Sequence, residues 1–162
     1  MTRLVSVDPG LRECGVAVWD HGVLTSALLV QSAIQDRTEH IDPRIVAMSK
    51  ALYDLLGQVP QPFDVVIERM EPRKGLQAAW ENLIALALIS GVVVALGNEV
   101  TFLRPSIWTG KRNKMTNHPR IRRKLTPTET QALDDGLDNC PPDNHKELLD
   151  AVGIGLYQLR RL

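Results

Sequence analysis

The chain has 162 residues, a formal net charge of zero at pH 7 and 44% hydrophobic residues. That length suits one domain, residues 1–162, which buries about two thirds of its unfolded surface. The two cysteines, Cys14 and Cys140, match no metal or redox spacing and indicate only a reducing compartment. No charged-then-apolar leader opens the chain, and its longest apolar stretch, residues 83–97, is shorter than the roughly 20 residues of a membrane span. We therefore expect a soluble, cytoplasmic protein without a membrane partner.

The pattern of apolar residues predicts strands first and helices later. Three consecutive strands are predicted at 4–8, 15–19 and 23–30, with a fourth at 63–68 and a short fifth at 100–103. Helices are predicted from Asp42, as N-cap, to Gly57, and over residues 76–96, 129–136 and 148–159. This order favours an α/β fold, a mixed sheet with helices on both faces.

The helix predicted over residues 76–96 is apolar on nearly every side. Such a helix is either buried or shared with a second subunit.

Four carboxylates lie at the ends of predicted elements. Asp8 ends the first strand, Glu68 ends the fourth, and Glu147 and Asp150 lie three residues apart at the head of the last helix. Taken singly, Asp8 is ordinary turn chemistry, Glu68 a solvent-side strand end and Glu147 a helix N-terminal acid. Taken together, they lie where the sites of α/β sheets gather. Oxygen-only ligands of this kind indicate magnesium or manganese.

A basic segment precedes the last two helices. Residues 100–128 contain no Asp or Glu and eight basic side chains: Arg104, Lys111, Arg112, Lys114, Arg120, Arg122, Arg123 and Lys124. Its prolines, Pro105, Pro119 and Pro127, predict mostly loop or short helix. Two interpretations are equally open: a phosphate-binding surface, or a solvated loop that balances acidic residues elsewhere.

Three further residues are weaker candidates. His145 is a ligand, a general base or, most commonly for such a position, an exposed residue near a helix cap. Trp80 and Trp108 are more often core or interface residues than base-stacking platforms. Trp108, inside the basic segment, is the better stacking candidate.

Taken in order, these segments resemble the RuvC family of Holliday-junction resolvases, which has the ribonuclease-H-like fold. Val5-Ser6-Val7-Asp8-Pro9-Gly10 with Gly15-Val16-Ala17-Val18 resembles the first strand and hairpin, and Val66-Ile67-Glu68 the second acidic strand. Residues 84–97 resemble the dimer-forming helix, and Asp150-Ala151-Val152-Gly153-Ile154-Gly155 the last helix. The similarity spans essentially the whole chain; each piece is short, and their order and spacing carry the specificity.

The resemblance implies a magnesium-dependent endonuclease, with manganese as the alternative ion, that resolves four-way DNA junctions in recombination and repair. Two ions would be held by Asp8, Glu68, Glu147 and Asp150, and hydrolysis of the DNA would leave 5′-phosphate and 3′-hydroxyl ends. A homodimer through residues 76–96 is also implied, in the cytoplasm of a bacterial or phage-infected cell. The DNA backbone would be bound by Arg73, Lys74, Lys111, Arg112, Lys114, Arg120, Arg122, Arg123 and Lys124.

Departures from the family pattern leave alternatives open. The loop Arg69-Met70-Glu71-Pro72 lacks the wedging aromatic residue of some members, and Glu147 stands where Asp or His is usual, so His145 competes for that role. The compact form is similar to phage-encoded relatives. A structured-RNA nuclease resembling YqgF shares the opening motif, although Glu68 favours the RuvC interpretation. A non-catalytic module that binds branched DNA is the other alternative, with the carboxylates as caps and turns.

Overall fold

The computed structural model of the chain describes residues 3–33, 41–69, 76–110 and 113–162. Within these ranges the strands are β1 (Arg3–Asp8), β2 (Glu13–Asp20), β3 (Val23–Gln31), β4 (Asp64–Glu68) and β5 (Val100–Leu103). The helices are α1 (Ile41–Gln58), α2 (Leu76–Ala95), α3 (Pro105–Trp108), α4 (Lys114–Lys124), α5 (Pro127–Asp138) and α6 (His145–Gln158). In this part of the chain no helix has both the length and the apolarity to cross a membrane.

The five strands form one mixed sheet in the order β3-β2-β1-β4-β5. β2 is antiparallel to β1 and β3, whereas β4 is parallel to β1 and β5. Short turns suffice for the antiparallel strands, and the turn between β2 and β3 has positive φ at His21 (48°) and Gly22 (82°), as a type I′ hairpin requires. The parallel strands need crossovers, which α1 and α2 provide.

Alternating residues of the strands give the sheet two apolar faces. Leu4, Trp19 and Val66 point to one face, where they pack against residues of α4, α5 and α6. Val5, Val7, Val16, Val65 and Ile67 point to the other face, which α1 and α2 cover. The predicted mixed five-stranded sheet with helices on both faces is therefore confirmed.

α6 lies very close to the sheet because its residue that faces the strands at this point, Gly155, has no side chain. A Cβ on Gly155 would collide with the indole of Trp19 and lie 2.6 Å from Oγ of Ser6. Ser6 in turn donates a hydrogen bond to the carbonyl of Ala151 (2.8 Å) and accepts one from Nε1 of Trp19 (3.0 Å). The helix is thus fixed on β1 by buried hydrogen bonds as well as by packing.

The predicted boundaries of α1 and α6 are wrong by a few residues. α1 begins at Ile41, so Asp42 lies inside its first turn rather than at the N-cap, and it continues through Gly57. α6 begins at His145, three residues before the predicted start, because the 3-10 turn Pro142–Asn144 leads directly into it. His145 is therefore the first residue of the helix and does not precede it.

The basic segment, predicted to be mostly loop or short helix, contains the short helices α3 and α4. Asn113 caps α4 by accepting a hydrogen bond from the backbone of Met115. Pro119 lies inside the helix and removes one backbone hydrogen bond. The helix persists because Asn117, His118 and Ile121 are buried; burial of one face outweighs a local propensity.

Candidate active site

Asp8 and Glu68 lie side by side at the carboxyl ends of two neighbouring parallel strands. The register pairs Val7 with Ile67, so the next residues along, Asp8 and Glu68, are neighbours at roughly the 5 Å spacing of a sheet. Both side chains are buried, with 6% and 2% of their surface exposed. Their proximity follows directly from the strand order, in which β1 and β4 are neighbours.

α6 carries Asp150 over the same face. The hydrogen bond from Ser6 to the carbonyl of Ala151 ties α6 to β1. Ser6 lies two residues before Asp8 on β1, and Ala151 lies one residue after Asp150 on α6. Asp150 is 4% exposed. Three buried carboxylates from three separate elements therefore share one face and one end of the sheet.

Glu147 approaches this group from the first turn of α6. A Cβ on Gly15 would collide with the backbone carbonyl of Glu147, and Gly15 is the residue that pairs with Asp8 across β1 and β2. Burial raises the pKa of the Cys14 thiol, and the negative charges of Asp8 and Glu147 raise that pKa further. Both carboxylates thus act electrostatically on one residue of β2. The Glu147 side chain is partly exposed and lies 3.6 Å from Nζ of Lys146.

The start of α6 is tied to the hairpin at the same end of the sheet. Asn144, which precedes the helix, donates from Nδ2 to Oε1 of Glu13 over 2.8 Å. Glu13 is the first residue of β2, and Asp8 is the last of β1. This contact sets where the first turn of α6, with Glu147, lies relative to Asp8.

Two buried side chains of the basic segment bind the carboxylates directly. Nε1 of Trp108 donates to Oε1 of Glu68 over 2.8 Å, and Nε2 of His118 lies 3.0 Å from Oδ1 of Asp150. The histidine that the structure places against Asp150 is therefore His118, which the sequence analysis did not select. The sequence signal for His118 was its spacing from Ile121. On a helix, residues three and four positions before the apolar Ile121, which are His118 and Asn117, lie on the same side as Ile121.

The prediction of Trp108 as a base-stacking candidate is wrong. The residue is 1% exposed, and its ring lies against Gly153 of α6, so no face of the indole is presented to a base. Its position in the core, the more common role for such a tryptophan, is the one observed. Trp80, by contrast, is 63% exposed.

The donor set at this end of the sheet fits a hard divalent cation by its chemistry. All four acidic candidates offer carboxylate oxygens, and three of them are buried, where an ionised group needs a counter-charge or donors. Among the residues that the structure describes, no three His, Cys, Asp or Glu side chains meet around one position that would hold a metal ion. As folded, the carboxylates share a face without forming a closed cage.

The predicted DNA-binding residues are only partly described. Arg120 is partly buried, and Arg122, Arg123 and Lys124 are exposed on α4. Arg122 pairs with Asp134 of α5 over 2.8 Å. Arg73, Lys74, Lys111 and Arg112 lie outside the described residues, as does the side chain of Lys114.

No family model matches the amino-acid sequence, and no curated protein sequence matches it. Solved structures do match. RuvC from T. thermophilus in complex with a Holliday junction substrate superimposes with a TM-score of 0.70 at 19% identity, covering 96% of this chain and 91% of that one. A second structure of Thermus thermophilus RuvC gives a TM-score of 0.63 at 19% identity, with 99% and 98% covered.

A eukaryotic protein also shares the architecture. The yeast mitochondrial Holliday junction resolvase Ydc2 superimposes with a TM-score of 0.65 at 12% identity, covering 98% of this chain and 79% of that one. At such identities the likeness establishes the fold, and the ribonuclease-H-like, RuvC-type fold predicted from the sequence is confirmed.

Proposed function

We propose that this chain, which has the RuvC fold, is a metal-dependent endonuclease that cleaves branched DNA, with four-way junctions as its principal substrate. The observation that carries the proposal is the placement of Asp8, Glu68 and Asp150, buried on one face at one end of the sheet. The solved structures that share the fold add support, since one is a RuvC bound to a Holliday junction substrate.

Three buried carboxylates at one end of the sheet repel one another and lose hydration, which is costly unless positive charge is nearby. Asp8, Glu68, Asp150 and the partly exposed Glu147 are the residues that would hold magnesium or manganese. Such ions, when bound, supply Lewis-acid activation of water and neutralise charge on the scissile phosphodiester. The expected products carry 5′-phosphate and 3′-hydroxyl ends.

The basic residues of α4 are well placed to bind the DNA backbone beside this group. α4 packs on α6 through its buried side, next to Asp150, and the basic residues of its last turn, Arg122, Arg123 and Lys124, are exposed. Contacts of this kind neutralise phosphates and set the position of the duplex, without reading its sequence.

A two-fold dimer would match the two-fold symmetry of a junction. α2 supports this part of the proposal because exposed residues at intervals of three or four positions form an apolar stripe along the described part of the helix. The stripe consists of Trp80, Leu83, Ala87, Gly91 and Val94.

The test is a cleavage assay with the purified chain. Labelled four-way, forked and linear DNA of matched sequence are incubated with and without Mg²⁺, and with Mn²⁺ in parallel. We expect metal-dependent cutting of the four-way junction, slower cutting of the fork and little cutting of the linear duplex. Absence of cleavage of every DNA in both metals would contradict the proposal.

Structured RNA belongs in the same assay because a YqgF-like RNA nuclease is the main alternative. Cleavage of the RNA with the junction left intact would favour that alternative. Tight junction binding without metal-dependent cutting would favour a non-catalytic module.

A further inference from the structure

We propose that Trp108 and His118 are positioning residues of the carboxylate group. Each donates a hydrogen bond to one carboxylate, and together they fix Glu68 and Asp150 at the end of the sheet where a divalent cation would bind. The inference rests on the proposed function, in that it takes the carboxylates to be cation ligands.

The contact between Trp108 and Glu68 has a defined direction. An indole N–H can only donate, so Nε1 fixes the position of Oε1 of Glu68 at 2.8 Å. The ring itself cannot shift easily, because a Cβ on Gly153 would already lie 2.8 Å from its Cζ3 atom. Glycine at this position of α6 therefore admits the ring that binds Glu68.

The contact between His118 and Asp150 is equally enclosed. Nε2 of His118 and Oδ1 of Asp150 are 3.0 Å apart, and both side chains are about nine-tenths buried or more. An ionised carboxylate only accepts, so the ring nitrogen carries the hydrogen in this pair. Ile121 anchors the same helix against α6, where a Cβ on Gly153 would lie 2.7 Å from its Cδ1 atom.

A further buried hydrogen bond joins the two donors into one unit. Nδ2 of Asn117 donates to the carbonyl of Thr109 over 3.1 Å, and both residues are almost fully buried. Thr109 follows Trp108 and Asn117 precedes His118, so this bond sets the distance between the two donors. We call these four residues, Trp108, Thr109, Asn117 and His118, the α3–α4 bracket.

The bracket gives the basic segment a second role beyond its exposed charges. A carboxylate carries several lone pairs on two oxygens, so it can accept from a donor and also serve as a cation ligand. Groups that orient metal ligands in this way typically contribute 10–100-fold to metal affinity. The bracket would keep Glu68 and Asp150 from turning away from their like-charged neighbours.

The experiment measures Mn²⁺ binding to the full chain by calorimetry without DNA. Trp108→Phe keeps most of the ring and removes the donor. His118→Leu removes the donor at similar volume, whereas His118→Gln keeps an amide N–H near the position of Nε2. We expect the Phe and Leu variants to bind Mn²⁺ on the order of 10–100-fold more weakly, and the Gln variant to retain most of the affinity.

Trp19→Phe is the matched control. It removes the same kind of buried indole donor on the same face of the sheet, but its acceptor is the hydroxyl of Ser6 rather than a carboxylate. Trp19→Phe should lower the melting temperature about as much as Trp108→Phe and leave Mn²⁺ affinity unchanged.

Equal Mn²⁺ affinity in wild type, Trp108→Phe and His118→Leu would overturn the inference, as would equal weakening by Trp19→Phe. A wild-type chain that binds no Mn²⁺ overturns it too. Should His118→Leu fail to fold, the Mn²⁺ affinities of Trp108→Phe and Trp19→Phe are compared, and equal affinities would overturn the inference. Because no cleavage is measured, a protein that binds Mn²⁺ through the bracketed carboxylates but cuts no DNA would contradict the proposed function alone.

Discussion

Asp150 and Glu129 are both buried acids, and Glu129 has the set of partners that marks a structural carboxylate. Glu129 accepts two hydrogen bonds from Arg161, at 2.6 and 2.7 Å, together with backbone N–H groups of Thr126 and Leu24. Burial alone would raise the pKa of Glu129, but these donors outweigh it and hold the pKa at about 2, below the ordinary 4.5. Glu129 thus links the C-terminal Arg161 to β3 and the start of α5.

Replacing Glu129 by Gln is predicted to destabilise the fold in a pH-dependent way. The pKa of Glu129 is depressed in the folded state, so its contribution is present above pH 4.5 and is lost as the pH falls toward 2. A pKa difference of this size corresponds to about 3 kcal/mol at neutral pH.

Urea unfolding of wild type and Glu129→Gln at pH 7, 4 and 3 measures this difference. The gap between the two proteins should narrow as the pH falls. Asp134→Asn, which removes an exposed pair with Arg122, serves as control and should change stability by less than about 1 kcal/mol. A gap that is absent, or constant with pH, would contradict the role given to Glu129.

Sequence reasoning selected the acidic residues because a carboxylate at the end of a buried strand is visible in the pattern itself. It missed His118 because the partner of Asp150 depends on how α4 lies on α6, and those residues are 32 positions apart. Gly15 was missed as part of the site for the same reason: only the folded chain shows that the Glu147 carbonyl passes directly over it.

At the scale of elements, α6 determines where the site is built. Its two interior glycines cost about 1 kcal/mol each in helix propensity relative to alanine, yet each admits a neighbour that a Cβ would displace. Gly155 brings the helix close to the sheet, whereas Gly153 faces α3 and α4. Which neighbours they admit, Trp19 at Gly155 and Trp108 at Gly153, required the packed structure.

Gly155→Ala is therefore predicted to destabilise the protein by about 2 kcal/mol or more, because the strain of overpacking exceeds the gain in helix propensity. The matched control is Gly57→Ala in α1, where a Cβ meets nothing within 4 Å. Gly57→Ala should be neutral or slightly stabilising. Thermal melts of both variants measure the difference, and an equal effect of the two would show that α6 tolerates a wider gap from the sheet.

The prolines of the basic segment left open whether the segment is loop or short helix. Pro105 occupies the first turn of α3, where its missing N–H costs nothing. Pro119 does interrupt α4, and the helix is maintained by the burial of Ile121 and its neighbours against α6. Tertiary burial of this kind is invisible to a local pattern.

At the scale of the whole molecule, the sheet order was beyond the sequence, whereas its mixed character was not. Hairpin turns between β1, β2 and β3 fix antiparallel neighbours, but nothing local dictates that β4 pairs with β1. The proposed dimer is the other feature at this scale. It depends on the exposed apolar stripe of α2. This is the helix that the sequence predicts to be apolar on nearly every side.

Val94→Asp is predicted to convert a dimer into a monomer, because it places a charge inside the apolar stripe. Val46→Asp on α1 is a close control, since the two valines are similarly exposed, at 63% and 69%, and Val46 lies outside the stripe. Sedimentation velocity should give a dimer for wild type and Val46→Asp and a monomer for Val94→Asp. A wild-type chain that sediments as a monomer at micromolar concentration would contradict the proposed interface.

The most direct test of the carboxylate group is Asp8→Asn, measured for binding and for cleavage on the same four-way junction in Mg²⁺. Asparagine keeps the size of the side chain and removes its charge. We predict that cleavage falls by several orders of magnitude while junction affinity and melting temperature stay close to those of wild type. An Asp8→Asn protein that cuts the junction at the wild-type rate would contradict the assignment of this sheet end as a nuclease centre.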